Sequence, residues 1–329
     1  EKHNVILIDI ENYDIKDIVP GSDKKIIGLA FSDNTEFATV GINHFKFWVI
    51  NGNKLIFKEY TNRLENFDDK LGVIAANNEN YVSGSFLGYI TLWNSFTAPT
   101  NIKMKKCHNS QIDSLYCDNK LIISGARDKT ITILDNELTI LKKLDLNNII
   151  DRTICLNCSP KSIDIMKYKE IKDINKILIG TLSGEIFELI FENDILKDTE
   201  GKCILYNSSH FCENSSESIE ITSINYSKKA NLFVTTGKDK TIRFWDPKTK
   251  RQIKIIQLND DDSRPTSSAF YFKEDIFVVG FDSGKIKFFS GIDFSLINEI
   301  NERNNQINVI KCSRDGLIAC GTKDGKGNN

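Results

Sequence analysis

Proline is scarce in this sequence, five in 329 residues, and so are methionine (two) and tryptophan (three). A chain so poor in proline is neither linker-rich nor collagen-like, and 40% hydrophobic with 27% charged residues suits an ordinary globular core. Long apolar runs are missing too. None approaches the roughly 18 residues of a membrane-spanning helix, and the opening Val5-Ile6-Leu7-Ile8 is too short for a secretory signal. No methionine stands first, so the sequence reads as a piece of a longer protein. Neither sign of charge dominates: 43 basic and 45 acidic side chains leave a net charge of −2, with no general pull towards nucleic acid or an anionic membrane.

Motifs that carry chemistry are also absent. There is no phosphate-cradling loop, nucleophile elbow or zincin helix, and Gly84 to Gly88 reads as a hairpin turn. The sequence therefore implies no enzyme activity and no cofactor. Eight cysteines are scattered over the chain; a core of this size needs no staples, so free thiols in a cytoplasmic protein are expected. Cys155-x-x-Cys158 lacks the second ligand pair that a structural zinc requires, because the other cysteines form no close pair and no His-x₃₋₅-His occurs. Four glycosylation sequons, starting at Asn157, Asn207, Asn214 and Asn225, are what chance supplies in an Asn- and Ser-rich chain.

What the sequence does have is a repeat. A β-rich run ends in glycine, a few turn residues follow, and an alternating apolar run resumes, as in Thr235-Thr236-Gly237 then Thr241-Ile242-Arg243-Phe244-Trp245-Asp246. The glycines are Gly41, Gly84, Gly125, Gly180, Gly237, Gly280 and Gly321, spaced by 43, 41, 55, 57, 43 and 41 residues. Four of these six intervals match the roughly 40–45-residue period of WD40 repeats, and polar insertions at 157–175 and 198–218 account for the longer two. Period-two alternation before and after each glycine marks four half-buried antiparallel strands per unit. Repeating such units around an axis leaves only short, protected sheet edges, so the expected fold is an all-β, seven-bladed WD40 β-propeller forming a single domain over 1–329. The last unit stops after Ile318-Ala319-Cys320-Gly321, while the chain opens with the strands it lacks: Asn4 to Asp9, shaped like Thr241 to Asp246, and Tyr13 to Ile18. The N-terminal pair is expected to complete the seventh blade.

Two polar sets fit the hydrogen-bonded His, Ser/Thr, Asp and Trp that tie the strands of such blades: His108, Ser124 and Asp128, with Leu134 in the tryptophan place, and Thr236, Asp239 and Trp245, with His210 nearby. Buried polar groups need partners or cost about 1–3 kcal/mol, which makes these sets structural rather than catalytic. Two basic runs, Lys103-Met104-Lys105-Lys106 and Lys248-x-Lys250-Arg251-x-x-Lys254, are candidate contacts for an acidic partner that Coulomb forces would steer; solvated outer strands are the plainer reading. Aromatics sit at core positions rather than among these charges, which argues against RNA.

The ordered motifs resemble the echinoderm microtubule-associated protein-like (EMAP-like) family. Thr39-Val40-Gly41-Ile42-Asn43-His44-Phe45-Lys46-Phe47-Trp48, Ser83-Gly84-Ser85-Phe86-Leu87-Gly88-Tyr89-Ile90-Thr91-Leu92-Trp93, Ser124-Gly125-Ala126-Arg127-Asp128, and Asp151-Arg152-Thr153-Ile154 with Leu178-Ile179-Gly180-Thr181 follow its blade patterns in the same order. The resemblance covers nearly the whole chain. It implies a non-enzymatic scaffold contributing to tubulin or microtubule binding in the cytoplasm, with tubulin or microtubule-associated proteins as partners. A WD40 adaptor of a ciliary or signalling complex is the alternative. No nucleic acid or membrane partner is expected, and the segment alone is expected to be monomeric.

Overall fold

A computed structural model describes residues 3–59, 70–77, 80–93, 101–150, 157–167, 174–192, 204–206, 210, 219–259, 263–271, 276–301 and 305–324. They form seven four-stranded antiparallel sheets, the blades of a propeller. In chain order the first strands of blades 1 to 7 are Ile26–Phe31, Leu71–Ala76, Ile112–Cys117, Pro160–Lys167, Ile221–Ser227, Pro265–Tyr271 and Asn305–Cys312. Each packs on the first strand of the next blade, and the seventh packs on the first, which closes the ring around a central channel.

Burial peaks at the second strands, between half-buried first strands that line the channel and exposed outer strands, and the sequence pattern follows it. Second strands such as Leu121–Ala126, Leu232–Gly237 and Ile276–Phe281 are buried at every position, because neighbouring blades cover both faces. Outer strands such as Ile140–Asp145 and Leu296–Asn301 are largely exposed and carry lysine, glutamate and asparagine, which blunt a sheet edge against pairing with other chains. The apolar core is accordingly divided among the seams between blades. Val5, Leu7, Val309 and Ala319 of blade 7 pack with Ile26, Leu29, Phe37 and Trp48 of blade 1 in one such cluster. Similar clusters fill the six other seams.

Closure is made by the N-terminus, as expected. His3–Asp9 pairs with Leu317–Asp324 on one side, setting Val5 opposite Gly321 and Ile6 opposite Cys320, and with Asp14–Ser22 on the other. Val5, Ile6, Leu7 and Ile8 have no exposed surface. At about 1.5–3 kcal/mol for each buried aliphatic side chain, this strand contributes as much as the whole net stability of a typical domain.

The repeat glycines mark a point of close approach between blades. Opposite them, every first strand carries a bulge two or three residues in, as between Ile26 and Gly28 or Ile307 and Val309. The bulge pushes the next blade against the glycine: a Cβ on Gly84 would lie 2.8 Å from Ile112 Cγ2, on Gly280 2.5 Å from Ile307 Cγ2, and on Gly321 2.7 Å from Ile26 Cγ2. Strand register also separates two glycines from the rest. Gly84, Gly125, Gly180, Gly280 and Gly321 face equivalent positions on their third strands, whereas Val40 and Thr236 hold that place in blades 1 and 5. Gly41 and Gly237 come one residue later.

Candidate functional site

The polar sets lie between strands of single blades. In blade 3, His108 Nε2 meets Ser124 Oγ at 2.8 Å, and its Nδ1 meets Thr130 Oγ1 at 2.8 Å and Asp128 Oδ1 at 3.3 Å. Desolvation would raise the Asp128 pKa, but hydrogen bonds from His108, the Asn109 N–H and Thr130 overcome it and hold the carboxyl well below the usual range. Ser–His–Asp in this order has the connectivity of a nucleophilic triad. Yet His108 is 1% and Ser124 0% exposed, and neither lines the two cavities described below, so no substrate reaches them.

Blade 5 carries a fuller version. The Trp245 indole N–H donates to Thr235 Oγ1 at 2.9 Å, Thr235 Oγ1 meets His210 Nε2 at 2.8 Å, and His210 Nδ1 meets Asp239 Oδ1 at 2.8 Å. Arg243 closes the set with a 3.0 Å bond to Asp239 Oδ2. Burial lowers the His210 pKa against the pull of Asp239, while bonds from His210 and Thr241 outweigh desolvation and lower that of Asp239. The ring is therefore neutral, with Nδ1–H donating to an ionised carboxylate and Nε2 accepting from Thr235. The threonine here is Thr235, not Thr236 as expected from the sequence. Thr236 turns to the opposite face of the strand and bonds Thr222 and Ser223 at 2.8 and 2.7 Å. Counting back one residue from glycine works for Ser124 but fails in blade 5, where the glycine is displaced by one and the slip reverses the face.

Sequence reasoning missed two relatives of these sets. In blade 1, Thr39 Oγ1 meets His44 Nε2 at 2.7 Å and accepts from Trp48 Nε1 at 2.8 Å. In blade 2, Trp93 Nε1 donates to Ser83 Oγ at 2.8 Å. Burial pushes the His44 pKa down to about 3, with Lys46 and His3 adding to it. Each of the three tryptophans thus donates to a hydroxyl on the adjacent second strand.

The two basic runs lie at the periphery. Lys103, Lys105 and Lys106 stand on the outer strand of blade 2, where Lys103 pairs with Glu137 at 3.6 Å and Lys106 lies over Tyr89. Lys248 and Arg251 are exposed at the turn into the outer strand of blade 5. Lys250 departs from the expectation. It pairs with Glu188 of blade 4, a carboxylate with no exposed surface that also binds Lys176 at 2.8 Å and the Tyr206 hydroxyl at 2.8 Å. Lys250 is thereby an interblade staple, held there because a buried carboxylate without a cation is costly.

Two cavities open along the axis. One, of about 510 Å³, is the channel between the first strands; its mouth is lined by Lys25, Asp113, Lys161, Glu220, Lys238 and Arg264. There Asp113 pairs with Arg127 at 2.7 Å, and Glu220 with Lys161 at 3.2 Å and Lys238 at 2.6 Å. The other, of about 520 Å³, lies at the opposite ends of the first strands and includes Tyr116, Cys117, Asp118, Cys312 and Arg314. Burial pushes the Cys117 and Cys312 thiols up to about 12, so neither is a nucleophile. Cys107, Cys117 and Cys312 are free thiols; Cys155 lies outside the described residues. Among the described residues no cluster of three metal-ligating side chains occurs, and no helix is long and apolar enough to cross a membrane.

Seven four-stranded blades packed around an axis define a β-propeller, and its Trp-to-hydroxyl bonds resemble those of WD40 repeats. The family "WD domain, G-beta repeat" matches residues 201–246, which contain the fuller polar set. The WD40 β-propeller domain of Doa1 superposes with a TM-score of 0.67 at 14% identity, covering 93% of this chain and 95% of that one. Within this class the chain resembles the EMAP-like proteins. It is 23% identical to Echinoderm microtubule-associated protein-like 1 of Mus musculus over 299 residues, 89% of this chain and 33% of that protein. It is 24% identical to Cilia- and flagella-associated protein 44 of Mus musculus over 282 residues, 78% of this chain and 14% of that one. The chain thus spans a third or less of the length of these relatives.

Proposed function

We propose that this chain is a single propeller domain over 1–329 that works as a non-enzymatic interaction scaffold within an EMAP-like cytoskeletal protein and contributes to binding tubulin or microtubules. The observation that carries the reading is the likeness to Echinoderm microtubule-associated protein-like 1 across 89% of the chain. The chemistry of the interior agrees with it. The histidine sets are sealed within blades, where they tie strands together, and the surface is left for partners. Outer basic side chains, Lys103, Lys105, Lys106, Lys248 and Arg251, are offered to an acidic partner surface. The test is co-sedimentation with microtubules of this segment and of the longer protein across salt concentrations. Pelleting that weakens with salt and with charge reversal at Lys248 and Arg251 supports the proposal; failure of both proteins to pellet at low salt sinks it.

The likeness to Cilia- and flagella-associated protein 44 favours a second reading, a ciliary adaptor without direct tubulin contact. Localisation of the full-length protein to cilia, without pelleting in vitro, would select it.

A further inference from the structure

The rim of the ring is electrically lopsided. The outer strands of blades 1 to 3, Lys54–Glu59, Asn101–Lys106 and Ile140–Asp145, carry seven lysines against two carboxylates. Those of blades 6 and 7, Leu296–Asn301 and Asp14–Ser22, carry one lysine against three carboxylates. That one, Lys16, is held by Asp9 and Asp14. A chain of net charge −2 thus gathers positive charge on one arc of its circumference.

The lysines of this arc converge across seams. Lys103 and Lys105 lie opposite Leu92 and Ile90, on the face that packs towards blade 3. Lys143 of blade 3 reaches back, its Nζ donating at 2.7 Å to the carbonyl of Cys107, just past the blade 2 outer strand. The Lys105 and Lys143 charges both bear on the buried Cys107 thiol, where they oppose the desolvation that pushes it up to about 11. On the other face, Lys106 lies opposite Tyr89 and Lys58 opposite Phe47, beside the seam between blades 1 and 2.

Little within the chain neutralises this arc. Lys54 is held by Asp17 of blade 7 at 3.1 Å, but Lys58 and Lys105 form no ion pair with a described residue. Lys103 meets Glu137 at 3.6 Å, and that carboxylate is 83% exposed; a pair so open to water is weak and yields to a better placed partner. The blade 5 run lacks this reinforcement. Lys250 is turned inwards onto Glu188, the described outer strand of blade 4, Ile204–Leu205, brings no cation, and that of blade 6 brings Glu299. We propose that the propeller docks edge-on, by the rim of blades 1 to 3 and above all the groove where Lys103, Lys105 and Lys143 converge, onto an acidic surface of a partner protein. Charge gathered on one arc orients the ring before contact and leaves both ends of its channel clear. This rests on the scaffold reading above, but not on tubulin being the partner.

The test is fluorescence anisotropy with a labelled decaglutamate peptide at about 50 and 300 mM salt, then carbodiimide coupling of the bound peptide and mass spectrometry of the lysines it joins. Saturable binding is expected at the lower salt, weakened at the higher, with adducts on Lys103, Lys105 or Lys143. Lys103→Glu/Lys105→Glu should weaken it about tenfold. Lys248→Glu/Arg251→Glu makes the same change in net charge on blade 5 and should weaken it less than about twofold. An unchanged urea midpoint shows that the blade 2 variant folds; should it drop, Lys58→Glu/Lys106→Glu on the same arc carries the comparison. No saturable binding, equal weakening by the blade 2 and blade 5 variants, or adducts confined to Lys248 and Lys254 or to the channel lysines Lys25, Lys161 and Lys238 overturns the proposal. Displacement of the peptide by phosphatidylserine vesicles at equal charge overturns it too, by making a membrane the occupant. Peptide binding lost in the blade 2 variant with microtubule pelleting retained upholds the arc and counts against tubulin alone; pelleting by the parent without peptide binding overturns the arc and leaves the tubulin reading standing.

Discussion

Replacing Thr235 by valine keeps the shape of the side chain and removes one hydroxyl, and the structure specifies what that hydroxyl does. It accepts from Trp245 Nε1 at 2.9 Å and donates to His210 Nε2 at 2.8 Å. Trp245 is fully buried and His210 is 3% exposed, so water replaces neither bond. Two buried polar groups are stranded at about 1–3 kcal/mol each, for a loss of roughly 2–6 kcal/mol. Thr236→Val at the adjacent position removes a hydroxyl whose partners keep other bonds: Thr222 still donates to the Thr236 carbonyl, and Ser223 still meets Ser268. Its cost should be about 1 kcal/mol or less. Urea titrations followed by circular dichroism measure both, with Trp245 fluorescence as a local probe. A Thr236→Val loss equal to or larger than that of Thr235→Val would refute the assignment of faces in blade 5.

Lys250→Met should destabilise by about 1–3 kcal/mol, because Glu188 keeps Lys176 but loses one of its two cations; microtubule pelleting that falls while the urea midpoint holds would return Lys250 to the surface class. His44 has a folded pKa near 3 against an ordinary 6.5, so below pH 6.5 the unfolded chain binds a proton that the folded one refuses. Stability should drop by up to about 1.4 kcal/mol per pH unit from pH 6.5 towards 3 on this account alone. The depressed carboxyls Asp128 and Asp239 add loss in the same direction at lower pH, and a His44→Gln variant should show a slope shallower by about one proton between pH 6 and 4. Gly280→Ala brings a methyl to 2.5 Å from Ile307 Cγ2 and should cost about 1–3 kcal/mol, partly recovered by adding Ile307→Ala; strictly additive losses would argue against contact at that seam.

The ring was legible because each blade repeats one solution to one packing problem. Glycine recurs where the next blade presses in, and alternation recurs because each strand has two faces, so seven copies reinforce a weak pattern. The closing strand was legible for the same reason: Asn4 to Asp9 has the form of a third strand, and only blade 7 lacked one. The polar sets were half legible. His108, Ser124 and Asp128 sit where the motif puts them, but a one-residue displacement of Gly237 hid Thr235 behind Thr236. Lys250 was not legible at all. Its partner lies 62 residues back in another blade, and nothing local marks Glu188 as buried. The channel lining was hidden likewise, since Lys25 and Lys311 meet one cavity only after the ends of the chain have joined.

That joining is the claim on which both the scaffold and its channel stand. Ile6 lies opposite Cys320 across the N- and C-terminal strands, within one apolar cluster. Ile6→Cys, expressed under oxidising conditions and digested without reduction, should yield a disulfide-linked peptide pair joining positions 6 and 320, identified by mass spectrometry. The introduced thiol recovered free, or linked to any cysteine other than Cys320, would contradict the closed seventh blade.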